Sequence, residues 1–149
     1  MKSFAFRLES LLKLRVQEEQ AGQLDFAEAR REEARAEAEA HRIEAQLTDL
    51  DRAWSLQVQE ARIDATELVR FDAYRSMLRE RSAAAQAEWR KRRDAALEAS
   101  RNLEGAMQKR KVLEKLKERR YSAWQQEAAQ RAQAELDELG ARRHGRKES

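Results

Sequence analysis

Stepping alternately by four and three residues from Gly22 lands on Phe26, Ala29, Glu33, Ala36, Ala40, Ile43, Leu47, Leu50 and Trp54. Only Glu33 among them is charged. That spacing puts every position on one side of an α-helix and is the seam of a coiled coil. A second series runs through Leu68, Phe71, Arg75, Leu78, Ser82, Ala85, Trp89, Arg92, Ala96, Ala99, Leu103 and Ala106, with three polar members. After Ala106 the phase reads as slipping, because Leu113 and Leu116 stand three apart, and a change of local supercoil is expected there. Trp124 resumes an apolar position. Upstream, Phe4, Leu8 and Leu11 share a stripe that Leu12 and Leu14 broaden.

Between the two series lies QEARIDATELVRF. Asp64 stands three residues before Glu67 and ahead of an apolar run, which is a helix-start signature: the Asp side chain can accept from the Glu67 backbone N–H. A short non-helical turn is therefore expected at about 62–66. It divides the chain nearly in half. The fold expected is all-α, an antiparallel two-helix coiled-coil hairpin with a frayed C-terminal tail. One domain covers 1–140, with helices at about 3–61 and 67–140, and 141–149 forms a flexible basic tail. Doubling back about residue 64 brings position n opposite roughly 128 minus n, in arms on the order of 85 Å long at 1.5 Å per residue. Phe4 then faces Trp124, and Leu8 and Leu11 face the neighbourhood of Trp124, Arg120 and Leu116. Residues beyond about 125 overhang. The competing arrangement, one unbroken helix pairing with a second copy, is disfavoured only mildly by Asp64 and Thr66.

Composition agrees with long helices. Of 149 residues, 40% are charged, and there is no Pro and no Cys. Much of the 41% hydrophobic content is Ala, which buries little area. An ordinary globular domain carries about 25% charged residues. Nine aromatics and scattered Leu would build only a thin compact core. Disorder is opposed by the periodicity and by strong helix formers. The lack of Cys removes disulfides and thiolate metal sites and fits a reducing compartment. No apolar run approaches the ~20 residues of a membrane helix. The N-terminus has one early Lys but lacks both the apolar core of about 7–15 residues and the cleavage site of a signal peptide.

Charge adds direction. The formal net charge is +3, from 31 basic and 28 acidic residues. Gln17 to Ala40 holds eight acids and three Arg, whereas Lys109 to Arg120 holds seven bases and two acids. In the hairpin these blocks partly face each other, which favours the antiparallel register. Glu9–Lys13, Glu88–Arg92 and Glu138–Arg142 have the spacing of helix-surface ion pairs, each worth ~0.2–0.5 kcal/mol. Most other charges read as a solvated face.

The residues that carry chemistry elsewhere are missing. There is no phosphate-cradling Gly-rich loop, so no nucleotide site is expected. His41 and His144 each lack a second His at metal spacing. No Ser stands in a His–Asp set, and a thin helix pair offers carboxylates no desolvated pocket. No catalytic residue, cofactor or metal is expected, and the chain reads as non-enzymatic. The basic stretch MQKRKVLEKLKERR alternates bases with acids and has no interleaved aromatics, which argues against nucleic acid. An acidic protein surface suits it better.

FAFRLESLLKLR at the start, ELVRFDAYRSML near the middle, and KRKVLEKLKERR followed by QQEAAQRAQAELDEL together resemble the FliJ family of the flagellar type III export apparatus, over essentially the whole chain. The resemblance implies a stalk whose paired N- and C-terminal ends enter the hexameric export ATPase and promote its assembly and hydrolysis. It also implies contacts with the cytoplasmic domain of the export gate and with export chaperones. Such a protein is cytoplasmic, held at the inner membrane at the flagellar base only through protein partners. Carried onto this sequence, the ring-facing end is Phe4, Leu8, Leu11, Arg15, Arg110, Lys117, Arg119, Arg120 and Trp124. The gate-facing surface is Gln46, Leu50, Trp54, Phe71, Tyr74 and Leu78. Trp54 and Phe71 also fall on the seam, where packing is the simpler reading; Tyr74 falls off it and is the better surface anchor. The Ala-rich seam implies a hairpin of modest stability that gains order on docking. The alternative reading is a generic coiled-coil adaptor or structural rod without an ATPase partner.

Overall fold

A computed structural model describes residues 3–60 and 63–148. Two helices, α1 (Glu9–Gln59) and α2 (Ala65–Glu148), account for nearly all of them, and the described residues contain no strand. The helices form an antiparallel hairpin. Its contacts divide into two units, Met1–Glu19 with Gly105–Ser149 and Gln20–Glu104.

The turn follows from Asp64. Its Oδ1 accepts the Glu67 backbone N–H at 2.8 Å and its carbonyl accepts from Leu68 N–H at 3.2 Å. This is an N-cap, so the helix starts at once, at Ala65, two residues earlier than expected. Ile63 and Asp64 are non-helical. Residue 62 of the expected turn lies outside the described residues, as does 61, the expected end of α1.

In the unit Gln20–Glu104 the two seams behave as their spacing requires. All ten positions from Gly22 to Trp54 are buried or half-buried. So are the positions of the second series from Phe71 to Leu103, with Leu78 the most buried at 1% exposure. Leu68 is the exception, half-exposed in the first turn of α2. A Cβ built on Gly22 would lie 3.4 Å from Leu103 Cδ1 and 3.5 Å from its Cα. The missing side chain thus lets the two backbones come close. Arg75 Nε donates to Asp51 Oδ1 at 2.8 Å, and Arg92 Nη1 donates to Glu32 Oε2 at 2.6 Å.

The unit Met1–Glu19 with Gly105–Ser149 corrects three expectations. First, α1 begins at Glu9, not near residue 3. Phe4 and Phe6 are two apart, a spacing that puts side chains on one side of an extended chain but on opposite sides of a helix. Both turn inward because residues 3–6 are not helical, and the Phe6 carbonyl accepts the Glu9 N–H at 3.1 Å. Second, the seam of α2 does not slip after Ala106. The same stepping continues through Arg110, Leu113, Lys117, Arg120 and Trp124, of which all but Arg120 are at least half-buried. Charged side chains at seam positions disguised the continuity. Third, α2 does not stop near 140 but runs to Glu148. Neither Gly140 nor Gly145 has a positive φ, so neither caps the helix. The Arg142–Glu138 ion pair at 2.9 Å spans the expected stop.

Of the helix-surface pairs, Glu88–Arg92 forms at 2.8 Å and Glu138–Arg142 as above. Glu9 instead reaches across to Lys117 at 2.9 Å.

Leu78→Ala should lower unfolding stability by about 2–5 kcal/mol, because it empties a fully buried seam position. Gly105 is exposed in mid-helix with nothing within 4 Å of its missing Cβ. Gly105→Ala should therefore raise stability by roughly 0.5–1 kcal/mol through helix propensity. Chemical denaturation followed by circular dichroism reads both; equal effects of the two would contradict the burial pattern.

Candidate functional site

The expected ring-facing residues lie in one unit, and the structure brings them together. Phe6, Leu12 and Leu113 are buried as a small core, with Phe4, Leu8, Leu11, Val16 and Leu116 packed against it. The Phe4 ring meets Tyr121 edge-on at 5.2 Å and Trp124 at 6.0 Å, and Tyr121 stacks with Trp124 at 6.0 Å. Tyr121 and Trp124 are three apart on α2 and so share a face. The first residues of the chain are thereby tied to the aromatic side of α2.

Charges at this end fall into two groups. Arg110 and Lys117 on the seam are engaged internally: Arg110 binds Glu19 across the helices and Glu114 along α2, and Lys117 binds Glu9. Glu19 is 8% exposed, and Arg110 is what makes its burial tolerable. The Glu114 and Glu19 carboxylates hold the Arg110 guanidinium above its ordinary pKa. Arg15 pairs with Glu18 at 2.9 Å. Arg7, Lys13, Lys109, Lys111, Lys115, Arg119 and Arg120, of which only Arg120 stands at a seam position, are exposed and make no ion pair with any described residue. Arg119 and Arg120 are thus available to a partner, whereas Arg110 and Lys117 hold the two helices in register.

The expected gate-facing residues lie in the other unit and separate into three kinds. Trp54 and Phe71 stack face to face, with centroids 4.1 Å apart and planes at 9°. They are a packing pair across the seam. Leu78 is fully buried and reaches no surface. Gln46 is exposed and Leu50 half-buried. Tyr74, 47% exposed, lines a shallow groove with Leu50, Trp54, Arg70 and Phe71. It remains the one large apolar side chain of the set that a partner can grasp. In the same unit, Leu56, Val58, Leu68 and Val69 are more than half exposed; of these only Leu68 falls on the seam pattern. The Arg75 guanidinium, hydrogen-bonded to Asp51, holds that carboxyl below its usual pKa.

Among the described residues there is no group of three or more His, Asp or Glu able to hold a metal, and no helix long and apolar enough to cross a membrane.

The family model described as flagellar FliJ protein matches residues 4–149. This chain belongs to the FliJ family. Comparison with curated proteins and with solved structures gives no match. Membership in the FliJ family supports a flagellar, export-related role and fits the two-helix fold.

Three side chains central to the packing of this end were not among the expected contacts. Phe6 was legible in the F-x-F spacing, once that spacing is read as extended chain. Glu19 stands opposite Arg110 in the expected register. Tyr121 shares a helical face with Trp124.

Phe6→Ala removes a buried ring and should cost about 3 kcal/mol locally. The expected readout is faster amide exchange in the first turns of α1, with α1–α2 contacts near Trp54 unaffected. The Asp51 carboxyl, with its folded pKa lowered, stabilises above the unfolded carboxylate pKa and loses that contribution as pH falls through the lower folded value. Asp51→Asn should flatten the acid limb of a stability–pH profile; an unchanged acid limb would contradict the pairing.

Proposed function

We propose that this chain is a non-enzymatic stalk of the flagellar type III export apparatus that inserts its paired ends into the export ATPase ring, promoting ring assembly and ATP hydrolysis. The observation that carries this reading is the charge at those ends. Seven exposed bases have no internal partner there, while Arg110 and Lys117 are already neutralised. Unpaired bases on a narrow helical end are drawn to an acidic lumen, and their field steers docking over about a Debye length. The Phe4–Tyr121–Trp124 cluster gives that end a fixed shape, so docking orders little further chain. Family membership supplies the export context.

The second contact in this reading is the cytoplasmic domain of the export gate, through Tyr74 with Gln46 and Leu50. Export chaperones are the third class of partner. The protein then works in the cytoplasm at the flagellar base, held near the membrane by its partners.

The decisive experiment mixes the chain with the flagellar export ATPase and follows hydrolysis and ring formation. Stimulation is expected, and its absence rejects the reading. Replacing Arg119 and Arg120 by Glu should abolish stimulation with helicity unchanged, since both side chains are exposed. Stimulation that survives in the double variant would reject the assignment of this end.

A further inference from the structure

Residues 129–147 of α2 are exposed all around. They nonetheless carry an apolar stripe. Ala129, Ala132, Leu136 and Leu139 follow the three–four spacing of a helix–helix seam. Leu136 is 63% exposed and Leu139 56%. This stripe does not continue the intramolecular seam. Continued past Trp124, that seam would pass through Glu127, Arg131, Ala134 and Glu138; at ~100° per residue the apolar stripe lies about 150° away, nearly on the opposite face of the helix. The side chains of α1 that cover α2 elsewhere are therefore not its partner.

The residues beside the stripe say what covers it. Glu135 and Arg142 occupy equivalent flanking positions, one heptad apart. In a parallel pair of these helices, Glu135 would flank Gly140 of the other copy, and Arg142 would flank Lys147. The first contact is empty and the second repulsive. In an antiparallel pair centred between Leu136 and Leu139, each Leu136 packs against Leu139 of the other copy. Each Arg143 then lays its stem over the small Ala132, and Glu135 flanks Arg142 of the other copy. The two-fold axis makes that ion pair twice. Arg142 also keeps its contact with Glu138 on its own helix.

We infer that residues 129–147 are a self-association segment, joining two copies of this chain antiparallel through Leu136 and Leu139, with Glu135 and Arg142 setting the orientation. Four leucines and a few alanines bury less than a standard interface, so the dimer belongs to the weak, reversible class. This inference stands on the stripe and its flanking charges and is independent of the stalk reading.

Sedimentation equilibrium of the full chain, from low micromolar to near-millimolar concentration, tests it. The expected mass is 17.4 kDa at the dilute limit, rising towards twice that at the top of the range. Leu136→Asp with Leu139→Asp should keep the chain monomeric throughout with unchanged helicity, because both positions are exposed. Glu135→Arg should weaken the dimer about tenfold or more, and adding Arg142→Glu should restore it, since the exchanged pair is again complementary. A wild-type chain that stays monomeric over the whole range overturns the proposal. So does a dimer that survives the double Leu replacement, or an Arg142→Glu addition that fails to rescue.

Discussion

Four acids on α1 each meet a base on α2, and that pairing sets the register in which the chain folds back on itself. Glu9 meets Lys117, Glu19 meets Arg110, Glu32 meets Arg92 and Asp51 meets Arg75. A seam rich in Ala is poor at choosing a register, because small side chains pack about equally well after a slip of one heptad. Ion pairs between partly exposed side chains add little stability. Their value lies in the alternatives: a slipped or parallel arrangement would leave buried Glu19 without its base. Two aromatic contacts, Trp54 on Phe71 and Phe4 on Tyr121 and Trp124, lock the same register in each unit.

Most of this was legible in the residues. The heptad stepping located the buried positions of both helices, and Asp64 located the turn with its hydrogen bond. The register of roughly 128 minus n holds to within about one helical turn wherever α1 meets α2. What was hidden had physical causes. Arg110 and Lys117 sit on the seam, so the apolar pattern breaks there although the packing does not. Phe4 and Phe6 belong to extended chain, which a helical template cannot recognise. Gly140 and Gly145 suggest a helix end only when a left-handed cap forms, and here Ala141, Arg142 and Arg143 continue the helix. The surface residues were harder still. Leu78 and Tyr74 are four apart and both apolar in character, yet one is buried and the other open; the heptad phase separates them, and family likeness alone does not.

The charges divide the work between folding and recognition. Arg75, Arg92, Arg110 and Lys117 on the seam each pair with an acid of the other helix, which fixes shape. Seven other bases in the unit of the chain ends are exposed and make no ion pair with any described residue. The same segment, Lys109 to Arg120, supplies both kinds, and helical periodicity sorts all but Arg120. Thin packing is part of the same design: an Ala-rich seam buries little apolar surface per residue, so binding energy from large complexes can contribute to holding the hairpin together.

All of this requires that the first residues of the chain lie beside the segment around Trp124. The direct measurement is a pulsed electron resonance distance between spin labels on Ser10→Cys and Glu118→Cys, placed in a chain that has no other Cys. At a concentration where the chain is monomeric, the account predicts a single short distance, as expected for neighbouring helices whose axes are about 8–10 Å apart. A separation on the order of 150 Å, that of one straight helix rising ~1.5 Å per residue, would contradict it.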